Sequence, residues 1–498
     1  MADAPETARA WIEHLLDPGW TLLFDDIVST DPLAFPWYPQ QLERAREATG
    51  ENESVLVAEG TIHGDVDPGL DVVLVAFEFG FLGGSMGVAA GERIARAFEH
   101  AAAMRRPVIA LTASGGARMQ EGMAALAQMP ATIAARRALA DAHRPFLAYL
   151  RNPTTGGVFA SFASSADLIW AEPGATIGFA GPRIVETQTG ETITDSHTAE
   201  HAFDAGLIDQ LVEPRDLKGM LIALRWLQSG RAPRAGEPPA EPAAPAVDAW
   251  GALWRARDPA RRALDRAGGS LPMRSSDPSV MCGFAQIGGS NVVAILLDAS
   301  HPLRAPGKNE DPARIPARPI PPTAYRDARH AIAVASRLAL PIVTFIDTAG
   351  ADPRSPSERA GIAREIDRTF EALLEAPVPT VACVTGEGGS GGALAFAACD
   401  RLLIQRDAVF SVIAPEAAAA ILGREDVADL SAQLKIGAHD LRALGLADLV
   451  VDEPEGGAVD DPDAARAALH AAIAWALADA AAEGAPTERR TRRWRLGM

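Results

Sequence analysis

The chain has 498 residues, of which 48% are hydrophobic and 22% charged, and its 65 acidic and 46 basic side chains give a formal net charge of −19. This share of apolar residues can bury a large core and excludes a disordered, collagen-like or disulfide-stapled chain. The acidic balance argues against nucleic acid and anionic membranes as partners.

The first half of the chain alternates apolar runs of strand length with segments of helical spacing. Two of the predicted strands run into glycine pairs, Gly115–Gly116 and Gly156–Gly157, and each pair opens a helical stretch. Alternation of this kind predicts an α/β fold with largely parallel sheets. In chain order, the sequence predicts a strand at residues 72–79, a helix at 92–104, a strand at 108–112, a helix at 121–139, and strands at 146–150, 167–170 and 176–179.

The second half repeats this pattern. The strand-like run that begins at Pro107 recurs at Pro341, and the run at Pro145 recurs at Pro379, so both recur after the same interval of sequence. A segment rich in proline and alanine, residues 230–247, separates the halves and is typical of a linker. We therefore predict two domains of the same fold, residues 1–229 and 248–498, the second closed by a helix at 462–483.

The cysteines and the apolar runs predict which features the chain lacks. Cys282, Cys383 and Cys399 form no Cys-x-x-Cys pair, so we expect no zinc ribbon, no disulfide framework and no bound metal. The first ten residues lack a basic segment, and the most apolar stretch, residues 331–346, is interrupted by Arg337. The sequence therefore predicts a cytoplasmic protein without a signal peptide or a membrane-spanning helix.

Three short motifs fit other functions. Residues 386–391 match a dinucleotide-binding G-x-G-x-x-G, but they lie deep in the second repeat and far from a first βα unit. Residues 83–87 and 388–392 match the G-x-S-x-G elbow of serine hydrolases, and downstream histidines leave that alternative open. Residues 197–201 match H-x-x-E-H, a metalloprotease pattern for which a solvated helix is the simpler interpretation.

The glycine pairs favour backbone chemistry. N–H groups at the start of a helix have no intrahelical acceptor and can stabilise negative charge that develops on a carbonyl oxygen. Each half carries two such turns: Gly115–Gly116 and Gly156–Gly157 in the first, Ala349–Gly350 and Gly391–Gly392 in the second. The alternative is that these glycines only allow the backbone to pack closely.

Several long motifs occur in a fixed order. The first half has GGSMG at 83–87, SGGARMQEG at 114–122, NPTTGGV at 152–158 and IGFAGPRIV at 177–185, and the second has PIVTFIDTAGA at 341–351, GEGGSGGALA at 386–395 and SVIAPE at 411–416. Over about residues 31–212 and 292–451, these motifs resemble the carboxyltransferase component of biotin-dependent acyl-CoA carboxylases. The first half is similar to the bacterial acetyl-CoA carboxylase β subunit and the second to the α subunit. The resemblance implies two tandem crotonase-like domains, each a ββα spiral.

The resemblance also implies a reaction. A carboxyl group would move from carboxybiotin to the α-carbon of acetyl-CoA or propionyl-CoA, giving malonyl-CoA or methylmalonyl-CoA. The family's two oxyanion holes fall on Gly156 and Gly157, on the CoA side, and on Gly391 and Gly392, on the biotin side. Further substrate contacts are expected from Gly115, Gly116, Gly350, Arg118 and Arg183. The two arginines would bind CoA phosphates or, alternatively, brace the turns by donating to carbonyl groups.

The cofactor is expected to come from another protein. No lysine of this chain follows a methionine, as the biotinylated lysine of a carrier domain does, because Lys218, Lys308 and Lys435 follow Leu217, Gly307 and Leu434. We therefore expect biotin carboxyl carrier and biotin carboxylase subunits as partners. The family's site, built from the β-like half of one subunit and the α-like half of another, implies at least a homodimer.

Some residues depart from the family pattern. The zinc ribbon of the β subunits is absent from this sequence, and Ala349 and Asp352 alter the motif that usually reads Asp-Thr-Pro-Gly-Ala-Tyr-Pro. Three alternatives therefore remain open at this point. They are a biotin-linked acyl-CoA decarboxylase, a crotonase-type hydratase or hydrolase without biotin, and a non-catalytic scaffold subunit.

Overall fold

The computed structural model describes residues 5–63, 69–225, 237–262, 264–301, 317–483 and 486–494. The chain divides into two compact units, residues 1–229 and 230–498. The described part of the expected linker, residues 237–247, contains no helix or strand. Its role as a linker stays a prediction, because residues 230–236 lie outside the described residues.

The first unit is built on a mixed sheet that is 8-stranded within the described residues, in the order β1-β2-β3-β4-β5-β6-β8 with β7 paired to β5. Strands β1, β2 and β3 pair antiparallel, and the pairs from β3 onward are parallel. The strands are β1 Thr21–Leu23, β2 Val55–Ile62, β3 Leu70–Phe77, β4 Val108–Ser114, β5 Phe146–Thr155, β6 Leu168–Ala171, β7 Ile177–Gly178 and β8 Gln210–Leu211.

The second unit repeats this topology with the strand order β16-β14-β13-β12-β11-β10-β9 and with β15 paired to β13. The antiparallel strands again come first in the chain and the parallel pairs follow. The strands are β9 Ser270–Pro272, β10 Val280–Ile287, β11 Ser290–Leu297, β12 Ile342–Thr348, β13 Thr380–Gly389, β14 Arg401–Gln405, β15 Val409–Ser411 and β16 Leu449–Val451.

Helices connect the parallel strands and cover the sheets. In the first unit they are α1 Ala8–Leu15, α2 Tyr38–Thr49, α3 Val88–Met104, α4 Gly122–Leu126, α5 Gln128–Asp141, α6 Gly156–Ala160, α7 Pro182–Thr189, α8 Ala199–Asp204 and α9 Pro214–Ala223. In the second unit they are α10 Ala249–Ala256, α11 Pro259–Arg262, α12 Pro322–Leu338, α13 Ser355–Arg359, α14 Ile362–Glu375, α15 Ser390–Ala397, α16 Pro415–Leu422, α17 Val427–Gln433, α18 Ala438–Ala443, α19 Pro462–Ala482 and α20 Pro486–Arg493. None of these is both long and apolar enough to cross a bilayer.

The internal repeat predicted from the sequence is present in three dimensions. Strands β4 and β12 are separated along the chain by the same interval as helices α3 and α12, which is the interval that separates Pro107 from Pro341. Both helices carry an apolar stripe that packs on the sheet, and both end at a residue with positive φ, Arg105 and Ala339. The predicted α/β class is therefore confirmed.

One predicted helix is wrong in its extent. The segment 121–139 is not continuous, because α4 ends at Leu126 and α5 begins at Gln128, and the residues before them form a 3-10 turn at Met119–Glu121. Gly122 has φ +52, a left-handed backbone conformation that glycine adopts without the steric penalty of residues with a Cβ atom. The turn brings the Glu121 side chain into the interior, where it is 1% exposed.

The same hydrogen bond recurs at the start of parallel strands in both sheets. A backbone N–H group at the start of one strand donates to an aspartate side chain that lies at the start of the neighbouring parallel strand or just before it. The donor–acceptor pairs are Phe146–Asp167 at 2.9 Å and Ile169–Asp209 at 2.6 Å in the first sheet, and Thr380–Asp400 at 2.9 Å and Leu402–Asp448 at 2.6 Å in the second.

Asp400 also anchors the last helix of the described chain. The Arg490 guanidinium, in α20, donates to Asp400 at 3.0 and 2.8 Å, and both side chains are completely buried. The same guanidinium donates to the carbonyl groups of Leu373 and Ala376 at the end of α14. The helix end carries partial negative charge, which a cation stabilises.

We expect Asp400→Asn to destabilise the second unit by about 3–5 kcal/mol, because the Arg490 charge would stay buried without its counter-ion. Urea unfolding followed by circular dichroism measures the change. The matched control is Asp141→Asn, which breaks an ion pair whose side chains are 81% and 66% exposed and should change stability by less than about 0.5 kcal/mol. Equal effects of the two substitutions would contradict the anchoring role.

Candidate functional site

The first unit places a glycine turn where β5 meets α6. The strand ends at Thr155 and the helix begins at Gly156, which has φ +68. The N–H of the next residue, Gly157, belongs to the first helical turn and has no acceptor within the helix. Gly156 and Gly157 are both partly exposed, so an external oxygen atom can approach this amide.

The turn that follows β4 lies directly against this amide. A Cβ atom on Gly116 would stand 3.1 Å from the Gly157 nitrogen, and one on Gly156 would stand 2.8 Å from the Gly115 carbonyl oxygen. Two backbone segments therefore approach each other at a distance that leaves no space for side chains. The glycines at 116 and 156 keep the Gly157 amide uncovered.

The predicted substrate contacts through the amides of Gly115, Gly116 and Gly350 do not fit the structure. The Gly115 N–H donates to the Gly83 carbonyl at 2.9 Å, and the Gly116 N–H donates to the Ser114 hydroxyl at 3.0 Å. In the second unit the Gly350 N–H donates to the Thr348 hydroxyl at 3.1 Å. These three residues shape the turns and allow close approach, but their amides are already in use.

The second unit has the equivalent turn between β13 and α15. Its first helical residue is Ser390, with φ +57, which matches Gly156 both in conformation and in its position within the repeat. Gly391 is then the counterpart of Gly157. The sequence pattern pairs Gly391 with Gly156 and Gly392 with Gly157. In the structure the correspondence is one residue earlier, so that Ser390 matches Gly156 and Gly391 matches Gly157.

Gly391 and Gly392 have different surroundings. Gly391 is exposed, and a Cβ atom there would meet nothing within 4 Å. Gly392 is buried, its carbonyl accepts the Tyr325 hydroxyl at 3.0 Å, and a Cβ would lie 2.3 Å from the Ala351 nitrogen. Gly391 therefore borders open space, whereas Gly392 is required for packing.

Asp352 does not line the space beside Gly391 as a free carboxylate. It is 3% exposed and accepts hydrogen bonds from Arg354 at 2.7 Å and from the Ser357 hydroxyl at 2.6 Å. These contacts close the loop after Gly350 and lower the pKa of the Asp352 carboxyl, although burial opposes the shift.

Arg118 does not present its guanidinium to solvent. Its side chain is completely buried and forms an ion pair with the equally buried Glu53, and it also donates to the Ser85 carbonyl at 2.7 Å. It thereby ties the loop at residues 82–87 to β2. Of the two roles expected for this arginine, the structure supports bracing of the turn.

Glu121 belongs to the same buried network. Its carboxylate accepts the Val88 N–H at 2.6 Å, the Ser29 hydroxyl at 3.0 Å and the Tyr38 hydroxyl at 2.5 Å. Burial raises the pKa of Tyr38 to about 12, although Arg118 opposes the shift. Burial would also raise the pKa of Glu53, but the Arg118 guanidinium outweighs it and holds that pKa below its usual range.

Arg183, the other arginine expected to bind CoA, has the opposite environment. It lies in the first turn of α7 and is exposed to solvent. Phe179 and Ile184 beside it are 73% and 52% exposed. A guanidinium in this position can bind an anion bidentately without first losing a partner.

Residues of two of the alternative motifs make structural hydrogen bonds. The Ser85 hydroxyl of the first G-x-S-x-G donates to the Leu82 carbonyl at 2.8 Å and accepts from Arg118 at 3.2 Å, so it braces a turn. In the H-x-x-E-H segment, Thr198 caps α8 by accepting the His201 N–H at 3.1 Å. The described part of the chain contains no cluster of three or more His, Cys, Asp or Glu side chains suited to a metal ion.

Sequence reasoning missed the role of Glu53 and the correspondence between Ser390 and Gly156. Glu53 lies far before Arg118 in the chain, and no local pattern links the two. Ser390 could have been found from the constant interval of the repeat, which places it opposite Gly156.

Comparison with known proteins agrees with this architecture. Residues 22–266 match the family described as carboxyl transferase domain, and residues 272–497 match acetyl co-enzyme A carboxylase carboxyltransferase-like proteins. Among solved structures, the transcarboxylase 12S hexamer with methylmalonyl-coenzyme A bound superposes with a TM-score of 0.69 at 21% identity, over 96% of this chain and 90% of that one. The fold is therefore two tandem crotonase-like domains, as the resemblance implied.

Curated relatives match nearly the whole chain. It is 37% identical to the acetyl-coenzyme A carboxylase carboxyl transferase subunits beta/alpha of Salinispora arenicola, over 94% of this chain and 86% of that protein. It is 38% identical to a probable biotin-dependent acyl-coenzyme A carboxylase beta3 subunit of Mycobacterium tuberculosis, over 90% of this chain and 89% of that protein. The chain belongs to the carboxyltransferase family of biotin-dependent acyl-CoA carboxylases, and it is an enzyme of carboxyl transfer.

The Arg118–Glu53 pair makes the first unit sensitive to acid. A carboxyl whose pKa is lowered by folding contributes stability above its ordinary pKa of about 4.3 and loses that contribution as the pH falls through its folded-state pKa. We therefore expect Glu53→Gln to destabilise the unit strongly at pH 7 and less at pH 3.5, measured by urea unfolding at both values. Glu43→Gln, at an exposed carboxylate, is the control and should show little effect at either pH. A Glu53→Gln penalty that does not shrink in acid would contradict this account.

Proposed function

We propose that this enzyme transfers a carboxyl group from biotin on a partner carrier protein to the α-carbon of acetyl-CoA, giving malonyl-CoA, with propionyl-CoA and methylmalonyl-CoA as the second choice. The observation that carries the proposal is the pair of equivalent turns. Each sheet ends its longest parallel strand in a turn whose second helical residue is an accessible glycine, Gly157 in one unit and Gly391 in the other.

The two amides would serve two carbonyl oxygens. The Gly157 N–H would donate to the thioester oxygen of the acyl-CoA and stabilise the negative charge that develops there when the α-proton leaves. The Gly391 N–H would donate to the ureido oxygen of biotin. A preorganised donor of this kind contributes roughly 2.7–4 kcal/mol of transition-state stabilisation. The side-chain-free positions at 116 and 156 admit the reacting oxygen.

The proton chemistry is assigned to the cofactor. As the family resemblance implies, carboxybiotin supplies both the carboxyl group and the base that removes the α-proton. Glu121, the acid closest in sequence to the Gly115–Gly116 turn that packs against the Gly157 amide, is 1% exposed and accepts hydrogen bonds from Ser29, Tyr38 and Val88. Glu121 is therefore not the free carboxylate that a crotonase-type hydratase would need beside the CoA-side amide.

Partners follow from the same reaction. A separate biotin carrier and a biotin carboxylase would supply the charged cofactor, and the enzyme would act in the cytoplasm as at least a homodimer. Large apolar side chains are exposed in both units: Met119 and Met123 in the first at 76% and 73%, and Val412 and Ile421 in the second at 72% and 74%. Exposed apolar side chains of this size are candidates for a subunit interface, which is compatible with an oligomer.

The first test runs the reaction backwards. Purified enzyme with malonyl-CoA and biocytin should release acetyl-CoA, and methylmalonyl-CoA should react more slowly. Product release is followed by chromatography of the CoA esters. A folded enzyme that turns over neither substrate would refute the transferase proposal, and turnover without biocytin would favour a hydrolase or a biotin-independent decarboxylase.

The two neighbouring glycines of α15 provide a matched pair. Gly391→Val should lower turnover by about 100-fold or more while leaving the unfolding midpoint unchanged, because its side chain enters open space beside the amide. Gly392→Ala should lower the unfolding midpoint, because its Cβ would lie 2.3 Å from the Ala351 nitrogen. Full activity of folded Gly391→Val would show that this amide does not take part in the reaction.

Arg183 should contribute to CoA binding. We expect Arg183→Gln to raise the KM for the acyl-CoA by about tenfold with little change in kcat, because a charge-assisted hydrogen bond to phosphate is lost. The difference between the wild type and the variant should diminish as salt is raised. Arg137→Gln, at another exposed arginine of the first unit, is the control. An unchanged KM in Arg183→Gln would remove this residue from the CoA site.

A further inference from the structure

The second unit contains a cavity of about 220 Å³ that the proposed reaction does not use. Among the described residues it is lined by Arg262 and Arg266, and by Phe345 and Asp347 of β12. Phe345 belongs to the apolar cluster that includes residues of α19, whereas the preceding residue, Thr344, donates its hydroxyl to the Phe396 carbonyl of α15. Successive strand residues point to opposite faces, so the cavity and α15 lie on opposite sides of the sheet.

Arg266 carries a buried charge without a counter-ion. The residue is 8% exposed, and the hydrogen bond that the described structure gives its guanidinium runs from Nη2 to the Arg261 carbonyl at 2.6 Å. No carboxylate of a described residue lies within ion-pair distance of it. Burial, together with the charge of Arg261, lowers the pKa of Arg266 to about 10, which still leaves the group cationic at neutral pH.

Arg262, like Arg266, has few hydrogen-bond and ion-pair partners. Its side chain is 8% exposed, its Nε is buried without an acceptor, and its nearest carboxylate is Glu387 at 3.7 Å. That carboxylate already accepts two hydrogen bonds from Arg257, at 2.9 and 2.8 Å. Two guanidinium groups therefore border the cavity with much of their hydrogen-bonding capacity unused.

Asp347 borders the same cavity from the sheet. It is 4% exposed, and its Oδ1 accepts the Glu387 N–H at 3.1 Å. Within the described residues, no guanidinium comes within ion-pair distance of this carboxylate, although Arg262 and Arg266 act on it electrostatically. The carboxylate and the two cations thus face one space without forming direct ion pairs.

The fold itself does not require these charges. The first unit places Ala113 at the position equivalent to Asp347 in the repeat, on the matching strand β4, and Ala113 is part of the apolar core. Burying an ion is unfavourable unless it is well paired and hydrogen-bonded. A charged cavity in the second unit, where the first unit has alanine, points to a ligand.

We propose that this cavity binds a small oxyanion that carries a hydroxyl group, hydrogen phosphate or bicarbonate. Its oxygen atoms would accept hydrogen bonds from Arg266 and Arg262, and its O–H would donate to Asp347. Pockets for drug-sized and larger ligands start at roughly 300 Å³. This cavity is smaller than that and suits a small ion.

Two other carboxylates at the cavity have their own partners. Asp265 accepts the N–H groups of Ala267 and Gly268 at 3.1 and 2.9 Å, and Asp298 accepts the Ser300 N–H at 2.7 Å. The arginines are therefore the groups left to bind the ion. The inference does not depend on the proposed function.

Inorganic phosphate and sulfate test the proposal at pH 8, where hydrogen phosphate has an O–H group and sulfate has none. Equilibrium dialysis of the full-length protein with labelled phosphate should show one saturable site, from which sulfate displaces phosphate about tenfold less effectively than unlabelled phosphate does. Bicarbonate added as competitor separates the two possible sources. Effective displacement identifies bicarbonate as a ligand of the site, and no displacement identifies phosphate.

Three variants locate the binding. Arg266→Gln should weaken phosphate binding by at least about tenfold, and Asp347→Asn should bring phosphate and sulfate to within about threefold of each other. Arg137→Gln, at an exposed arginine of the first unit, should bind as the wild type does. Circular dichroism checks that each variant is folded, and the sulfate comparison on the wild type tests the proposal even where a variant is not.

The results that would overturn the proposal are equally definite. Absence of saturable binding of both labelled phosphate and labelled bicarbonate in the wild type, or equal binding by folded Arg266→Gln, would show that the cavity is not the site. Equal competition by sulfate in the wild type would remove Asp347 from the recognition of the ion.

Discussion

The close approach of two backbone segments at the end of a central strand is the constraint on which both units depend. A Cβ on Gly116 would stand 3.1 Å from the Gly157 nitrogen, and one on Gly350 would stand 2.8 Å from the Gly389 carbonyl oxygen. At these distances a side chain has no place, and the residues that follow, Gly157 and Gly391, remain accessible to solvent. The sheets, their parallel strands and the helices behind them hold these segments in position.

The two units support this contact in different ways. In the first unit, the buried Arg118 ties the loop at 82–87 to β2 through Glu53, and the Gly115 N–H bonds to that loop. In the second unit, the position that corresponds to Arg118 in the repeat is Asp352, which closes its own loop through Arg354 and Ser357. One arrangement uses contacts between distant strands, and the other uses neighbours in sequence. The same backbone geometry therefore rests on unrelated side-chain chemistry.

The sequence predicted the features that depend on local pattern and repetition. Apolar runs with a constant offset indicated the strands, the order of the motifs indicated the family, and glycine pairs at strand ends indicated the turns. The sequence did not predict the burial of Arg118, because its partner is distant in the chain. Arg118 pairs with Glu53, and strands β2 and β3 lie between the two residues in the sequence. The sequence pattern also paired Gly391–Gly392 with Gly156–Gly157, although the constant interval of the repeat places Ser390 opposite Gly156, and the positive φ of these two residues confirms that Gly391 corresponds to Gly157.

Ser390 has a further consequence for how the two sites can evolve. In the first unit a side chain on Gly156 would meet the Gly115 carbonyl at 2.8 Å, so every substitution there is penalised. In the second unit the same position already carries a side chain, exposed to solvent, in a left-handed conformation. Mutation at position 390 can therefore vary the polarity beside Gly391 without rebuilding the backbone. The turn of the second unit tolerates changes of side chain that the turn of the first unit does not.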